Sequence, residues 1–381
     1  MSLKEIFCQD KAIGLLQRSF AADKMPHAYV FAGAEGVGKF KTAREWAKLL
    51  LCENPVVENE FADSCGSSSP KLGRGSCQSC RLFEAGSHPD FSSIYKELIQ
   101  FTKEGKDKKT PVDLPIDVIR EFLIEKVSTR PTLSQRKVFV VSEAEKLNIR
   151  SQNALLKVLE EPPEYCTIIL LCTRMELLLP TTKSRCRIIR FSTVDEDWLI
   201  EKLKEAGLEQ KQARYFARLS GGSLGRACRW AQLELAEANL YRTKKELINS
   251  LSSFELAGAL ELAQWLLAQS KKIAATWSKL DSATSKTDIN RRAAKTLTQI
   301  IISALHDAMK LNVTPEKTLI NFDQKEQIEK LANRFDAEQA AEKIADAYET
   351  IRWIDASVNE KLIFEQLLLN LAVSDRMKVS Q

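Results

Sequence analysis

Residues 31–43 read FAGAEGVGKFKTA. The apolar run before them, AYVFAG (28–33), has the composition of a buried strand, and KTAREWAKLLLC (41–52) after them has the period of a helix. A glycine-rich turn from strand to helix leaves few folds open. Gly33, Gly36 and Gly38 let the backbone bend until its N–H groups converge. The helix N-terminus adds a field that favours an anion, and Lys39 supplies a point charge. This is the context of a phosphate-binding loop, and it calls for a parallel sheet whose strands alternate with helices. The last position departs from the pattern: Phe40 stands where a Ser or Thr hydroxyl would hold Mg²⁺.

The following sequence supplies such a sheet. DFSSIY (90–95), KVFVVS (137–142), CTIILLCT (166–173) and RIIRF (187–191) read as further buried strands. PIDVIREFLIEKV (115–127) carries Ile116, Ile119 and Leu123 at helical spacing, with Pro115 suited to the first turn. SQNALLKVLEE (151–161) predicts a helix capped by Ser151 and stopped at Pro162-Pro163. The expected fold is a doubly wound parallel α/β domain. Two stretches interrupt it. Residues 53–80, rich in Ser, Gly, Pro and Cys, read as a loop module, and TKEGKDKKTPVD (102–113) as a solvated charged loop. After about residue 193 the β signal ends. Residues 195–232 read as a small helical unit broken at Gly221-Gly222, and helical patterns continue from about 240 to 381. The expected domains are 1–193 with an insert at 52–80, then 194–240, then 241–381.

Three further constellations bear on chemistry. In VFVVSEAEKLN (138–148) a strand ending in Asp-Glu would complete an ATPase, with Asp on the metal and Glu polarising water. Ser142 takes the Asp position and Glu143 keeps the other, so Phe40 and Ser142 together remove both protein contacts to Mg²⁺. Cys52, Cys65, Cys77 and Cys80 include one C-x2-C pair and can close a tetrahedral structural Zn²⁺ site. His88, before Pro89, reads as a turn residue. The other five cysteines (Cys8, Cys166, Cys172, Cys186 and Cys228) read as small core residues. Finally, TKSRC (182–186) precedes a strand, and Arg185 there reads either as an arginine finger or as a surface residue.

Composition narrows the class but does not choose within it. A net charge of +5 over 56 basic and 51 acidic residues permits nucleic-acid contact without demanding it. No apolar run approaches the roughly 20 residues of a membrane span. The N-terminal MSLKEIFCQDKAIGLLQ lacks a signal-peptide core, so a cytoplasmic location is expected.

These elements, in this order, resemble the clamp-loader branch of the AAA+ ATPases. The residues that carry the likeness are PHAYVFAGAEGVGK (26–39), the cysteines, GSHPDF (86–91), SQNALLKVLEEPPEYCTIILLCT (151–173) and LLPTTKSRCRIIRF (178–191). They cover residues 1 to about 230; beyond about 240 only the helical character matches. The resemblance implies a nucleotide-binding-like α/β domain, a helical lid and a helical collar that joins subunits in an arc. It implies that the complex loads a sliding clamp onto primer-template DNA, with tau/gamma and delta subunits as partners. It gives Thr173 the place of a γ-phosphate sensor and Arg185 that of a finger offered to a neighbour. Gly225 stands where active relatives carry a lid arginine, and Arg226 is one position off. A weak ATP or ADP site, with Glu143 vestigial, is therefore one expectation, and an active motor subunit resembling tau/gamma is the alternative. An independent zinc-containing DNA-binding protein ranks last, because the cysteine segment lacks basic and aromatic interleaving.

Overall fold

The fold was obtained as a computed structural model, which describes residues 3, 6–58, 61–65, 76–103, 113–281, 284–311, 319–356 and 358–372. It divides into two compact units, Met1–Val194 and Asp195–Gln381.

Among the described residues the first unit has seven strands: β1 (Ala28–Ala32), β2 (Val56–Glu58), β3 (Phe61–Asp63), β4 (Phe91–Ile94), β5 (Lys137–Val141), β6 (Cys166–Cys172) and β7 (Arg187–Arg190). Five form one parallel sheet in the order β4-β5-β6-β1-β7. The apolar runs seen in the sequence are continuous because both sheet faces are covered. On β1, Tyr29 and Phe31 enter a core with Trp46 of the helix Lys39–Leu51 and Leu16 of the helix Asp10–Ala21. Ala28, Val30 and Ala32 enter the opposite core with Val118 and Leu123, and with Leu155 of the helix Ile149–Glu160. The sheet is thus sandwiched by helices, as a doubly wound fold requires.

Details differ from the sequence expectation in three places. The helix from Ile116 to Val127 contains one wide turn at Arg120–Ile124. The helix Ile149–Glu160 is capped by Asn148, whose side chain accepts from the Ser151 N–H; the Ser151 hydroxyl instead donates to the Leu114 carbonyl at 3.1 Å. The segment 53–80 is more than a loop: β2 and β3 form an antiparallel pair, and Gln78–Glu84 is a helix. The Gln17 amide holds β3 at the Ala62 carbonyl (2.8 Å) and Ala62 N–H (2.5 Å), so a distant side chain supplies order that the local sequence lacks. Residues 59–60, 66–75 and 104–112 of the two interrupting segments lie outside the described residues.

The second unit is helical throughout its described residues. Glu196–Glu205, Gln210–Ser220 and Leu224–Leu233 come first, with Gly221 ending the second in left-handed geometry (φ 60°). The backbone leaves helical geometry again at Glu237 and Asn239, both at positive φ. Among the described residues the helices Leu240–Ser252, Ala259–Leu280, Lys286–Leu311, Lys325–Ala332, Ala337–Asp355 and Glu360–Ala372 follow. Fully buried Lys244 pairs with Asp323, which also accepts from Tyr241 Oη at 2.8 Å. That network keeps a charge inside the unit by satisfying it.

Candidate functional site

The glycine-rich loop that the sequence pattern reads as a phosphate loop lies where β1 gives way to the helix Lys39–Leu51. Gly33 is required by close approach: a Cβ there would stand 2.7 Å from the Phe191 carbonyl oxygen. Gly38 is required by conformation, at φ 102°. Lys39 is only 8% exposed, yet its ammonium does not reach outward. It donates to the carbonyls of Gly33 (2.6 Å) and Ala34 (2.7 Å), the loop's own backbone. Burial lowers its pKa, opposed by the fields of Glu145 and Glu35. Phe40 turns to solvent at 47% exposure and has no oxygen to offer a metal.

The opposite wall is the carboxyl edge of the sheet, where Gly33 N–H donates to the Cys172 carbonyl at 3.2 Å. Thr173 follows Cys172. Its N–H and its hydroxyl both donate to the carboxylate of Glu145, the N–H at 3.2 Å. Glu143, two residues earlier, sits in left-handed geometry and pairs with Lys146 at 2.6 Å. Ser142 donates its N–H to Ile94 at 2.9 Å. Sequence reasoning singled out Glu143 as the acid of this turn and missed Glu145. Nothing local distinguishes the two acids of SEAEK; the partner that does is 28 residues away.

The cysteine cluster forms at the other end of the same helix. Cys52 caps Lys39–Leu51, Cys65 follows β3, and Cys77 and Cys80 begin the helix Gln78–Glu84. Their four sulfurs lie within 4.8 Å of one another, with Cys52–Cys65 at 3.6 Å, Cys65–Cys80 at 3.7 Å and Cys52–Cys77 at 4.0 Å. Four thiolates each about 2.3 Å from one tetrahedral ion stand about 3.8 Å apart, so the spacing fits a metal ion. Backbone N–H groups of Cys65, Cys77 and Cys80 point at Cys52, Cys65 and Cys77 sulfurs at 3.2–3.4 Å, a field that favours thiolate. The Cys80 thiol pulls Cys52 down to about 5, while burial pushes Cys65 up to about 11. Of the other five cysteines, Cys172 borders the loop through its backbone carbonyl. Cys166 and Cys172 are buried, Cys8, Cys186 and Cys228 half-buried.

His88 belongs to this corner and is no exposed turn residue. It is 5% exposed, accepts at Nδ1 from Asp90 N–H (3.1 Å) and lies 2.9 Å from Ser79 Oγ through Nε2. Ser79 and Ser134 both donate to the Leu51 carbonyl at the end of the loop helix, at 2.6 and 2.8 Å. Buried Lys48 pairs with Glu84, a second tie between the two helices.

Arg185 ends the short helix Pro180–Ser184. Its guanidinium pairs with Glu160 at 2.7 Å and donates to the Thr181 carbonyl at 3.0 Å, and its side chain stays 34% exposed. In the helical unit, Arg226 lies over the Trp230 ring at 5.3 Å. Among the described residues, no helix is long and apolar enough to cross a membrane.

Two family models match the chain: DNA polymerase III, delta subunit, over residues 8–195, and the C-terminal model of that subunit over 275–372. The chain is 33% identical over 201 residues to DNA polymerase III subunit delta' of Pseudomonas aeruginosa, covering 52% of this chain and 53% of that one. It is 30% identical over 238 residues to the Escherichia coli delta', covering 62% of each. It is 31% identical over 199 residues to the tau/gamma subunit of Haemophilus influenzae, covering 52% of this chain and 25% of that one. The matched lengths are thus about half to three-fifths of the delta' relatives and a quarter of tau/gamma. These matches show that the chain belongs to the DNA polymerase III delta-subunit family and is delta prime-like within it.

Proposed function

We propose that this chain is a clamp-loader subunit that does not itself hydrolyse ATP. It would help place a sliding clamp on primer-template DNA, in a cytoplasmic complex with tau/gamma and delta subunits. Residues 1–193 would form the nucleotide-binding-like domain, 194–240 the lid and 241–381 the collar. The cluster Cys52, Cys65, Cys77 and Cys80 would hold one structural Zn²⁺. Gly33, Gly36, Gly38, Lys39 and Thr173 would give at most a weak ATP or ADP site, with Glu143 vestigial. Arg185 would act on the nucleotide of a neighbouring subunit, where a delocalised, planar charge suits phosphoryl oxygens.

The observation that carries this reading is the loop itself: Lys39 spends its ammonium on Gly33 and Ala34, while Phe40 lies in solvent where a metal-binding hydroxyl is needed. The test is steady-state ATP hydrolysis by the purified chain, alone and in the reconstituted complex. The expected outcome is no turnover alone and full clamp- and DNA-stimulated turnover only when the chain is present. The similarity to tau/gamma supports a second reading, an active motor subunit. Robust Mg²⁺-dependent turnover by the isolated chain would replace the first reading with the second.

A further inference from the structure

Two sets of donors at the phosphate loop, those of Lys39 and Thr173, are engaged within the chain. Lys39 donates to Gly33 and Ala34 at 2.6 and 2.7 Å. Across the loop, the N–H and hydroxyl of Thr173, at the carboxyl end of β6, both go to one carboxylate, that of Glu145. A carboxylate bound by two converging donors resembles what an anionic ligand would be. It carries the same sign of charge as a polyphosphate and sits on groups that would otherwise receive one. Phe40 and Ser142 take away contacts to a metal ion. They leave the contacts to an anion in place, because an N–H loop and a lysine bind phosphate without a metal.

We propose that Glu145 is an internal plug: its carboxylate takes the place of a ligand's terminal phosphate at Thr173 and so opposes the binding of polyphosphate in the loop. The proposal deepens the reading above and rests on it for the class of ligand. The field of Glu145 on Lys39, which favours the charged ammonium and opposes the larger effect of burial, is in keeping with a carboxylate facing the loop. Removing the charge should release Thr173 and remove a like-charge repulsion that costs affinity for any anion in that place.

The experiment titrates ATP, and separately inorganic tripolyphosphate, into the full zinc-loaded chain by calorimetry, with and without Mg²⁺. Glu145→Gln removes the charge at constant shape, and Glu145→Ala also frees the two Thr173 donors. Both are expected to bind ATP and tripolyphosphate at least about tenfold tighter than the unchanged chain, Mg²⁺ being dispensable. Adding Lys39→Met to Glu145→Gln should abolish the gain. Circular dichroism melts confirm that the compared chains are folded. Unaltered affinity in both folded variants would overturn the plug, as would a gain that survives Lys39→Met. Neither result touches the proposed function. That reading fails instead if the unchanged chain turns over ATP.

Discussion

The phosphate loop and the cysteine cluster sit at opposite ends of one helix, Lys39–Leu51, and handle charge in opposite ways. At the N-terminal end the chain satisfies itself: the loop's cation is bound by the loop's carbonyls, and the facing donors hold Glu145. At the C-terminal end four sulfurs converge on one another, with backbone N–H groups pointing at three of them. That end asks for a cation, and the helix dipole, negative there, favours one. The contrast teaches that a binding motif is judged by whether its charged groups are already spent. The same helix carries one site whose sulfurs are spaced for a guest and one whose lysine and facing threonine are already engaged.

The largest effect expected is on the completed-by-guest side. Structural zinc in small modules contributes roughly 10–16 kcal/mol of apparent binding energy near neutral pH, and the cluster has no internal substitute for it. Purified without chelator, the chain should carry one Zn²⁺. Stripping it, or replacing Cys77 by Ser, should open the segment around 52–80 to protease while the far-ultraviolet signal of sheet and helices persists. A chain without zinc that stays as resistant as before would erase the contrast. The self-satisfied loop should show the reverse, with melting temperature unmoved by ATP.

Next in size is Arg185. Fingers supplied to a neighbour's site are worth roughly 10³–10⁵ in rate at that site. Arg185→Ala should leave zinc content, folding and assembly intact and lower the ATPase of the complex by the share that one site carries. Arg185→Lys should rescue poorly, since a point charge cannot replace the planar fork. In the free chain Arg185 is paired with Glu160 at the end of the helix Ile149–Glu160, so it must exchange partners to act. Equal rates for unchanged and Arg185→Ala complexes would reduce Arg185 to a surface ion pair.

A third expectation bears on how far the loop can be restored. Phe40→Thr with Ser142→Asp rebuilds two contacts to one metal ion, so their effects should be coupled and not additive. While Glu145 still occupies Thr173, Mg²⁺-dependent ATP binding should improve little. Combined with Glu145→Gln, it should improve by more than the separate changes together. Binding restored fully by the first pair alone would show that only the metal was lacking.

How much of this was legible beforehand follows from the range of each interaction. The strands β1, β5 and β6 are near-continuous apolar runs because both faces are buried, and that pattern is local. The cysteines were legible because thiols have few reasons to gather. The β2–β3 pair was not, since its order comes from Gln17, 45 residues from Ala62. Asn148 and Ser151 are both good caps, and only the contact of Ser151 with Leu114 decides between them. Glu145 was invisible for the same reason: its part depends on where β6 delivers Thr173.

The smallest effect concerns how the cysteine corner is fastened to the sheet. His88 accepts from Asp90 N–H at Nδ1, so its neutral form makes this contact, and protonating Nδ1 would set two N–H groups against each other. Burial lowers its pKa; Asp90 and Glu53 pull the other way but less, and the uncharged neighbours include the hydroxyls of Ser79 and Ser134 and the Phe83 ring. The folded chain therefore takes up the proton at lower pH than the unfolded chain, whose histidine titrates near about 6.5. Below that pH the unfolded state binds more protons, so this contribution to stability, present above about 6.5, is lost as pH falls towards the folded pKa. Asp90, whose own pKa is lowered, titrates below this window. Proton competition for the thiols also weakens metal binding on acidification, but it acts equally in any variant that keeps the four cysteines. Asn can accept from the same N–H and does not titrate. Between pH 7.5 and 5.5, at saturating zinc, the melting temperature of the unchanged chain should fall by roughly 1–3 °C more than that of His88→Asn. Parallel curves would mean that the imidazole stays neutral in both states or that Ser79 and Ser134 hold the corner on the Leu51 carbonyl without it.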